Sequence, residues 1–326
     1  MKLRVLNADV LRRCLSMRET IEAMKRAFAA YSSGEATVPQ RIALAIPPDD
    51  GVLLIKPALL PSEGLGAKLV SFFPGNSAKG RPVISGLVIL IDETTGEPMG
   101  LCDGAFLTAW RTGAASGAAT DLLARNDARI GAVIGCGVQG RTQALGISAV
   151  RSLEEIRLFD LYSSGVDAFV EEMTSQLPAR LVPVESVHQA VAGADVICTA
   201  TTATEPVIRG EDLSVGAHLN GVGSFTPSML EVDGVAISRA RIVVDSREAA
   251  RAEAGELIRA MTDGLTRSED WAELGEIVNG ARPGRESGSQ LTFFKSVGLA
   301  VQDVAAAALA FTTAAVLGLG EEIDLS

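Results

Sequence analysis

The sequence predicts an α/β chain in which a doubly wound parallel sheet is joined to a smaller α+β module. Three observations carry that prediction. From residue 129 onward, short apolar runs alternate with segments of helical spacing. Ahead of that point, strand-like runs follow one another without intervening helices, which reads as an antiparallel or mixed sheet. Between the first alternating strand and its helix stands Gly135-Cys136-Gly137-Val138-Gln139-Gly140, and Asp160 ends the next apolar run, twenty residues past Gly140.

Strand, tight glycine turn, helix, strand and acid form the order that a dinucleotide-binding βαβ unit of Rossmann type requires. Gly135 would permit the turn, Gly137 would let a pyrophosphate approach the backbone, and Gly140 would let helix and strand pack closely. The helix beginning near Val138 would aim its unpaired N–H groups at the phosphates. A bare GxGxxG is weak evidence in a chain with 33 glycines among 326 residues; the flanking elements and the position of Asp160 give it weight. Asp160 would bind the ribose hydroxyls of an adenosine and repel a 2′-phosphate, and no Arg or Lys follows within residues 161–165. The cofactor expected is therefore NAD(H), with NADP(H) as the alternative.

Composition narrows the class further. The chain is 47% hydrophobic but only 4% aromatic, so its core must be built mostly from Ala, Val, Leu and Ile. A net charge of −11 with no long basic run argues against nucleic acid as a partner. It also means that a site for an anionic substrate must concentrate positive charge locally. Cys14, Cys102, Cys136 and Cys198 have no paired spacing, which suits a reducing cytoplasm better than a disulfide framework or a zinc site. With His188 and His218 as the only histidines, no metal site is expected. The N-terminus lacks a signal-peptide core, and the apolar segment 297–319 contains Gln302 and Asp303, so a buried helix is expected there and no membrane span.

In chain order, Ser16-Met17-Arg18-Glu19 reads as a capping box opening a helix to about Tyr31, with Ile21, Met24, Phe28 and Tyr31 on its buried side. Strands are expected over residues 41–46, 51–56 and 66–73, then a hairpin with arms 86–92 and 98–102. Asp103 or Thr108 caps the next helix, which carries Arg111 and Thr112 and runs to about Ala124. The alternating half has strands near 129–134, 155–159, 179–182, 194–200, 217–222 and 241–245, with helices near 138–150, 166–176 and 186–191. One helix is expected over 246–261, a shorter one over 272–279, a strand over 291–294, and an Ala-rich C-terminal helix. The expected division is residues 1–116 with 295–326 as a substrate-binding and dimerisation domain, completed by that last helix, and 117–294 as the dinucleotide domain.

Two lysines in the first half are out of place. Lys56 and Lys68 each interrupt an apolar strand run, and an unpaired lysine in a core is costly. The plain alternative is that strand alternation puts each ammonium in water. Yet two such lysines stand in neighbouring strands, and Arg41 and Arg111 lie in segments that could converge on them. A cationic pocket for a carboxylate results, with Arg111 suited to a bidentate clamp. A lysine drawn partly out of water also exchanges its proton near neutrality. Beside a dinucleotide site, such a pocket suggests hydride transfer to or from the carbon of an amino or imino acid. Hydride adds readily to a protonated imine and poorly to a neutral one.

The motifs Ala67-Lys68-Leu69-Val70, Pro74-Gly75-Asn76, Trp110-Arg111-Thr112-Gly113-Ala114, Gly135-Cys136-Gly137-Val138-Gln139 and Gly298-Leu299-Ala300-Val301-Gln302-Asp303-Val304-Ala305 resemble those of the ornithine cyclodeaminase/mu-crystallin family. The resemblance spans nearly the whole chain. It implies a Rossmann domain, a second domain for substrate and dimerisation, and a homodimer. It implies one of several activities: ornithine cyclodeamination, reduction of cyclic 2-imino acids, amino-acid (alanine) dehydrogenation, opine-type condensation, or non-catalytic ligand binding of mu-crystallin type. By resemblance, Arg41, Lys68 and Arg111 hold the substrate carboxylate, and Lys68 also transfers the proton. Arg111, Thr112, Val138, Gln139, Asp160, Thr201, Val222 and Ser296 fall at or near cofactor contacts. The family's cyclodeaminases carry an aspartate base in a Gly-x-Asp-x-Pro-Gly loop, where this chain reads Gly223-Ser224-Phe225-Thr226-Pro227-Ser228. Phe225 cannot activate an amine, which disfavours cyclodeamination, leaves imine reduction open, and offers an apolar ring to a pyrroline or piperideine. The expected activity is NAD(P)H-dependent reduction of Δ1-pyrroline-2-carboxylate or Δ1-piperideine-2-carboxylate to L-proline or L-pipecolate.

Overall fold

The structure is a computed structural model that describes residues 2–325. Its elements begin with β1 (Lys2–Leu6), α1 (Ala8–Cys14), α2 (Met17–Ser32), β2 (Ile42–Ile46), β3 (Gly51–Leu60), β4 (Gly64–Phe72), β5 (Ile84–Ile91), β6 (Pro98–Asp103) and α3 (Gly104–Leu123). There follow β7 (Ile130–Ile134), α4 (Val138–Val150), β8 (Glu155–Phe159), α5 (Ser163–Met173), β9 (Arg180–Pro183), α6 (Val187–Val191), β10 (Val196–Thr199), β11 (His218–Gly221), α7 (Gly234–Arg239) and β12 (Ala240–Val244). The chain ends with α8 (Arg247–Glu253), α9 (Gly255–Thr262), β13 (Ala272–Glu273), α10 (Leu274–Val278), β14 (Leu291–Lys295), α11 (Ala300–Leu317) and β15 (Glu321–Asp324). It divides into two compact units, Met1–Arg111 with Leu299–Ser326, and Thr112–Gly298.

The first unit is built on a mixed sheet in the order β15-β1-β6-β5-β4-β3-β2. β1 pairs parallel with β6 and antiparallel with β15, and the remaining neighbours are antiparallel. Ser16 caps α2 as its side chain accepts from the Glu19 N–H, and Ile21, Met24 and Phe28 are buried below it. Tyr31 is only half-buried, because the helix is by then leaving the core. α11 is long and apolar enough to cross a bilayer, yet most of it is buried, packed on α2, β3, β4 and β5. It is the core helix of this unit.

The second unit carries an all-parallel sheet, β13-β12-β14-β11-β10-β7-β8-β9. The strand order reverses between β7 and β10, the switch point at which doubly wound sheets bind their ligands. Two apolar layers cover the sheet. Ile134, Ile197, Leu219 and Phe293 belong to one, and Val133, Ile147, Leu158 and Phe169 to the other.

Several expectations need correction. The strand over 2–6, the helix over 8–14 and the strand over 321–324 were not foreseen; both strands are short and are strands only by distant pairing, β15 at the sheet edge with β1, and β1 with β15 and β6. The single helix expected over 246–261 is broken at Ala254, whose ψ of 95° is extended. Gly255 explains the break, since an added Cβ there would lie 2.2 Å from the Met229 carbonyl oxygen, so the second helix starts against another backbone. The helix expected over 272–279 yields its first residues to β13, which pairs with Val243 and Val244. α7 was also missed. Its six residues are too short for periodicity to register.

Candidate active site

In the first unit, β3 and β4 pair so that Lys56 stands directly opposite Lys68. Directly paired residues share a face, so the alternation that could have put both ammonium groups in water puts both inward. Lys56 is 8% exposed and Lys68 3%. α3 begins where the Asp103 side chain accepts the Phe106 N–H, at 2.7 Å; Asp103, not Thr108, is its cap. Within α3, Thr108 is 3.2 Å from Lys68 Nζ, and Arg111 is 4% exposed.

The group that gathers these cations is Asp303, on the first turn of α11 and 1% exposed. Lys68 Nζ donates to Asp303 Oδ1 at 2.9 Å, and Arg111 Nε donates to the same oxygen at 3.0 Å. Arg111 Nη1 donates to Gln302 Oε1 at 2.8 Å, which also accepts the Leu299 N–H. Burial lowers the Lys68 pKa to about 7; Asp303 works against that shift, while Arg111 and Lys56 add to it. Burial alone would raise the Asp303 carboxyl, but Lys68, Arg111 and Lys56 outweigh it and hold the group below its ordinary value. Three cations near one carboxylate leave net positive charge in this buried cluster, and Lys68 holds a proton it can release near neutrality. Arg41 is half-buried just before β2, beside the Ile42–Ile55 pair and hence next to Lys56 in the register.

In the second unit, β7 leads into the glycine turn. Gly135 has φ +95°, and a Cβ there would lie 2.5 Å from the Ala200 carbonyl oxygen, so only glycine fits. A Cβ on Gly140 would lie 2.0 Å from the Gly135 carbonyl oxygen, which ties α4 against the turn. Gly137 is different: nothing of the protein lies within 4 Å of its absent Cβ. It is the N-cap of α4 and offers no side-chain cap bond, so it leaves the first N–H groups of the helix uncapped. Asp160 Oδ2 accepts the Cys136 N–H at 2.7 Å and Oδ1 accepts the Tyr162 N–H at 3.0 Å, which fixes the carboxylate beside the turn. An uncapped helix start, a bare glycine and an anchored carboxylate fit a dinucleotide's diphosphate and ribose.

Val138, the first residue of α4, is 64% exposed, and Gln139 follows it half-buried. Thr201 lies just past β10, with its hydroxyl 2.9 Å from Glu231 Oε1. Val222 follows β11, half-buried. Ser296 follows β14 and donates to Asp245 Oδ2 at 2.7 Å. These residues, with the glycine turn, cluster at the C-terminal edge of the parallel sheet. Thr112 is buried within α3, and Phe225, 43% exposed, is on the loop after β11. All four cysteines are free and buried.

The sequence model of the ornithine cyclodeaminase/mu-crystallin family matches residues 2–315. The chain belongs to that family. A Δ(1)-pyrroline-2-carboxylate reductase of Bacillus cereus is 38% identical over 323 residues, covering 98% of this chain and 99% of that protein. The solved structure of Thermococcus litoralis Δ(1)-pyrroline-2-carboxylate reductase in complex with NADH and L-proline superposes with a TM-score of 0.94 at 38% identity, covering 98% of this chain and all of that one. An archaeal alanine dehydrogenase dimer with bound NAD superposes with a TM-score of 0.93 at 32% identity, covering both chains fully. The fold of this family, a parallel Rossmann-like sheet with a second mixed sheet, is the fold seen here.

Sequence reasoning misses Asp303 and Gln302 as members of the site and shows them only as polar breaks in an apolar helix. An acid inside an Ala-rich segment needs a cation, and Lys56 and Lys68 needed an anion; matching the two demands was the available signal. Glu231 and Asp245, both fully buried, left no comparable trace.

Proposed function

We propose that this protein is an NADH-dependent reductase of small cyclic 2-imino acids, converting Δ1-pyrroline-2-carboxylate to L-proline. The observation that carries the proposal is the buried Lys68, held against Asp303 and Arg111 with a proton it can give up near neutrality. The relatives that share the whole chain length and act on this imine support it.

Arg111, Arg41 and Lys56 hold the substrate carboxylate, with Arg111 fixed in orientation by Asp303 and Gln302. Lys68 donates its proton to the lone pair of the imine nitrogen, which leaves the C=N carbon electrophilic, and the π pair passes to that nitrogen only as the carbon accepts hydride. When bound, NADH supplies the hydride, and with it the two electrons, that this carbon accepts. Gly135, Gly137, Gly140, Val138 and Gln139 seat the diphosphate, Asp160 takes the ribose hydroxyls, and Arg111, Thr112, Thr201, Val222 and Ser296 complete the cofactor contacts. Asp160 and the absence of a nearby cation in residues 161–165 favour NADH over NADPH. Phe225 stands where a cyclodeaminase has its base, so it packs on the substrate ring and deprotonates nothing.

The first unit is also proposed to form a homodimer. Ile42, Ile55, Leu69 and Leu87 stand in one registered row across β2 to β5, on the face opposite Lys56 and Lys68. Ile42, Leu44, Leu69 and Leu87 are 59%, 58%, 39% and 51% exposed in the single chain, a contiguous apolar strip of the kind that marks an interface. The alanine dehydrogenase relative is a dimer.

The deciding experiment follows NADH oxidation with Δ1-pyrroline-2-carboxylate, Δ1-piperideine-2-carboxylate, pyruvate with ammonia, and L-ornithine as separate substrates. Turnover highest with a cyclic imine supports the proposal. Turnover highest with pyruvate and ammonia makes the protein an alanine dehydrogenase, ammonia release from ornithine makes it a cyclodeaminase, and NADH binding without any turnover makes it a binding protein; each of these overturns it.

A further inference from the structure

Glu231 is fully buried, and its carboxylate accepts five hydrogen bonds from the two strand ends beside it. Oε1 takes the Thr201 N–H at 2.7 Å and the Thr201 hydroxyl at 2.9 Å. Oε2 takes the Gly223 N–H at 2.8 Å, the Ser224 N–H at 3.1 Å and the Thr199 hydroxyl at 3.0 Å. Among the described residues no Lys, Arg or His pairs with it. Burying a carboxylate without a cation is expensive, and here the cost is met by oriented N–H and O–H dipoles alone. Those dipoles belong to the segments leaving β10 and β11, neighbouring parallel strands at whose C-terminal ends a doubly wound sheet carries its ligands.

A second buried group sits under the same loop. Ser224 Oγ is 2.6 Å from Glu256 Oε2, and Glu256 Oε1 is 2.9 Å from Lys295 Nζ, with both charged side chains wholly buried. Residues 223–224 and 229–231 are thus tied down at both ends; the Leu230 N–H donates to the Ala203 carbonyl, at 2.9 Å. Only the span between them reaches the surface, and Phe225 is its apolar member.

We propose that Glu231 is a positioning residue. Its carboxylate staples the loop after β11 to the loop after β10 and thereby sets where the Phe225 ring stands. The substrate part of this inference rests on the reductase reading above, in which Phe225 packs on the imino acid ring. Glu231→Gln keeps the shape but turns an acceptor oxygen into an N–H donor that meets N–H donors, so the staple opens. The diphosphate and adenosine seats at Gly137 and Asp160 use none of these bonds, and Thr201 is the one proposed cofactor contact that does, so NADH affinity should change less than the imine KM.

The test compares full-length wild type, Glu231→Gln, Phe225→Ala and the double variant by amide hydrogen exchange, NADH affinity, and kcat and KM for Δ1-pyrroline-2-carboxylate. Expected for Glu231→Gln are roughly tenfold faster exchange in residues 201–203 and 223–225, and a roughly tenfold higher imine KM, with NADH affinity within about threefold of wild type. In the Phe225→Ala background, Glu231→Gln should add less than about twofold to KM, because both changes act through one ring. Unchanged exchange overturns the staple, and additive KM effects or a loss of NADH affinity matching the KM change overturn its action through Phe225. If Glu231→Gln does not fold, Thr199→Val removes one of the five donors and should give the same pattern at smaller size; no change in exchange with that variant counts against the staple. If wild type reduces no imine, the reductase reading fails, while the exchange measurement still decides whether Glu231 holds the loop.

Discussion

Lys68 Nζ lies 2.8 Å from Asp303 Oδ2, and the two side chains are 3% and 1% exposed. A pair so far from water is defined by its neighbours: Arg111 shares the same carboxylate, and Lys56 adds a further positive charge nearby. Burial first, and then these two cations, push the lysine towards release of its proton, while the cations hold the aspartate carboxyl below its ordinary value.

The Lys68 pKa of about 7 sets a pH dependence. Below it the ammonium carries the proton to be donated; above it the donor is lost. Reductive kcat/KM should be level at lower pH and fall as pH rises through about 7, whereas oxidation of L-proline, which needs the unprotonated base, should rise over the same range. Lys68→Met should remove that limb and lower kcat by about 10²- to 10⁴-fold. Full activity with an unchanged profile in Lys68→Ala would remove Lys68 from the mechanism.

Asp303→Asn leaves Lys68 and Arg111 buried with their shared anion gone. Breaking a buried pair in this way typically costs about 3–5 kcal/mol, measurable by urea unfolding. Because the folded-state pKa of Asp303 is depressed below its unfolded value, its contribution to stability is present above that ordinary value and is lost as pH falls through the folded one. The stability gap between wild type and Asp303→Asn should therefore narrow in acid. In the same variant the reductive pH limb should move to lower pH, since Asp303 is what raises the Lys68 pKa. A variant as stable as wild type, with an unmoved limb, would contradict the pairing.

Asp160 is expected to select the cofactor. Asp160→Ser removes the charge that repels a 2′-phosphate and weakens the grip on the ribose. NADH kcat/KM should fall by roughly tenfold or more while the preference for NADH over NADPH narrows. Parallel steady-state kinetics with the two cofactors would show it; an unchanged ratio would place discrimination elsewhere.

Gly140→Ala adds a Cβ that would sit 2.0 Å from the Gly135 carbonyl oxygen. Helix α4 or the turn must then shift, and the diphosphate seat shifts with it. NADH binding, followed by fluorescence titration, should weaken by at least about tenfold. Gly137→Ala meets no protein atom within 4 Å, so any loss of NADH affinity there reports contact with the ligand.

Leu69→Arg places a charge in the middle of the exposed row on β2 to β5. Sedimentation should show wild type as a dimer and the variant as a monomer, with the cationic nest on the opposite face of the sheet undisturbed. A monomeric wild type would refute the proposed interface.

How far the fold and site were legible follows from the range of the interactions involved. The glycine turn, its flanking strands and Asp160 could be read directly, because a βαβ unit writes its requirements within about thirty consecutive residues. The cap at Ser16, the hairpin around Gly96 and the alternating half were equally local. β1 and the edge strand β15 were not, since they pair with each other from opposite ends of the chain and β1 also pairs with β6. The break at Ala254 was hidden too, because it answers to the backbone of Met229.

The same division holds for chemistry. From sequence alone came the class of cofactor, the suspicion that Lys56 and Lys68 do not belong in apolar strands, and the replacement of an expected acid by Phe225. Only the folded chain could decide which way those lysines face and what holds them, because Lys68 and Asp303 meet across 235 residues. Periodicity records which side of an element is apolar, but the pairing of buried charges is settled by long-range packing. Once both groups are out of water, each keeps its charge at far lower cost with the other beside it.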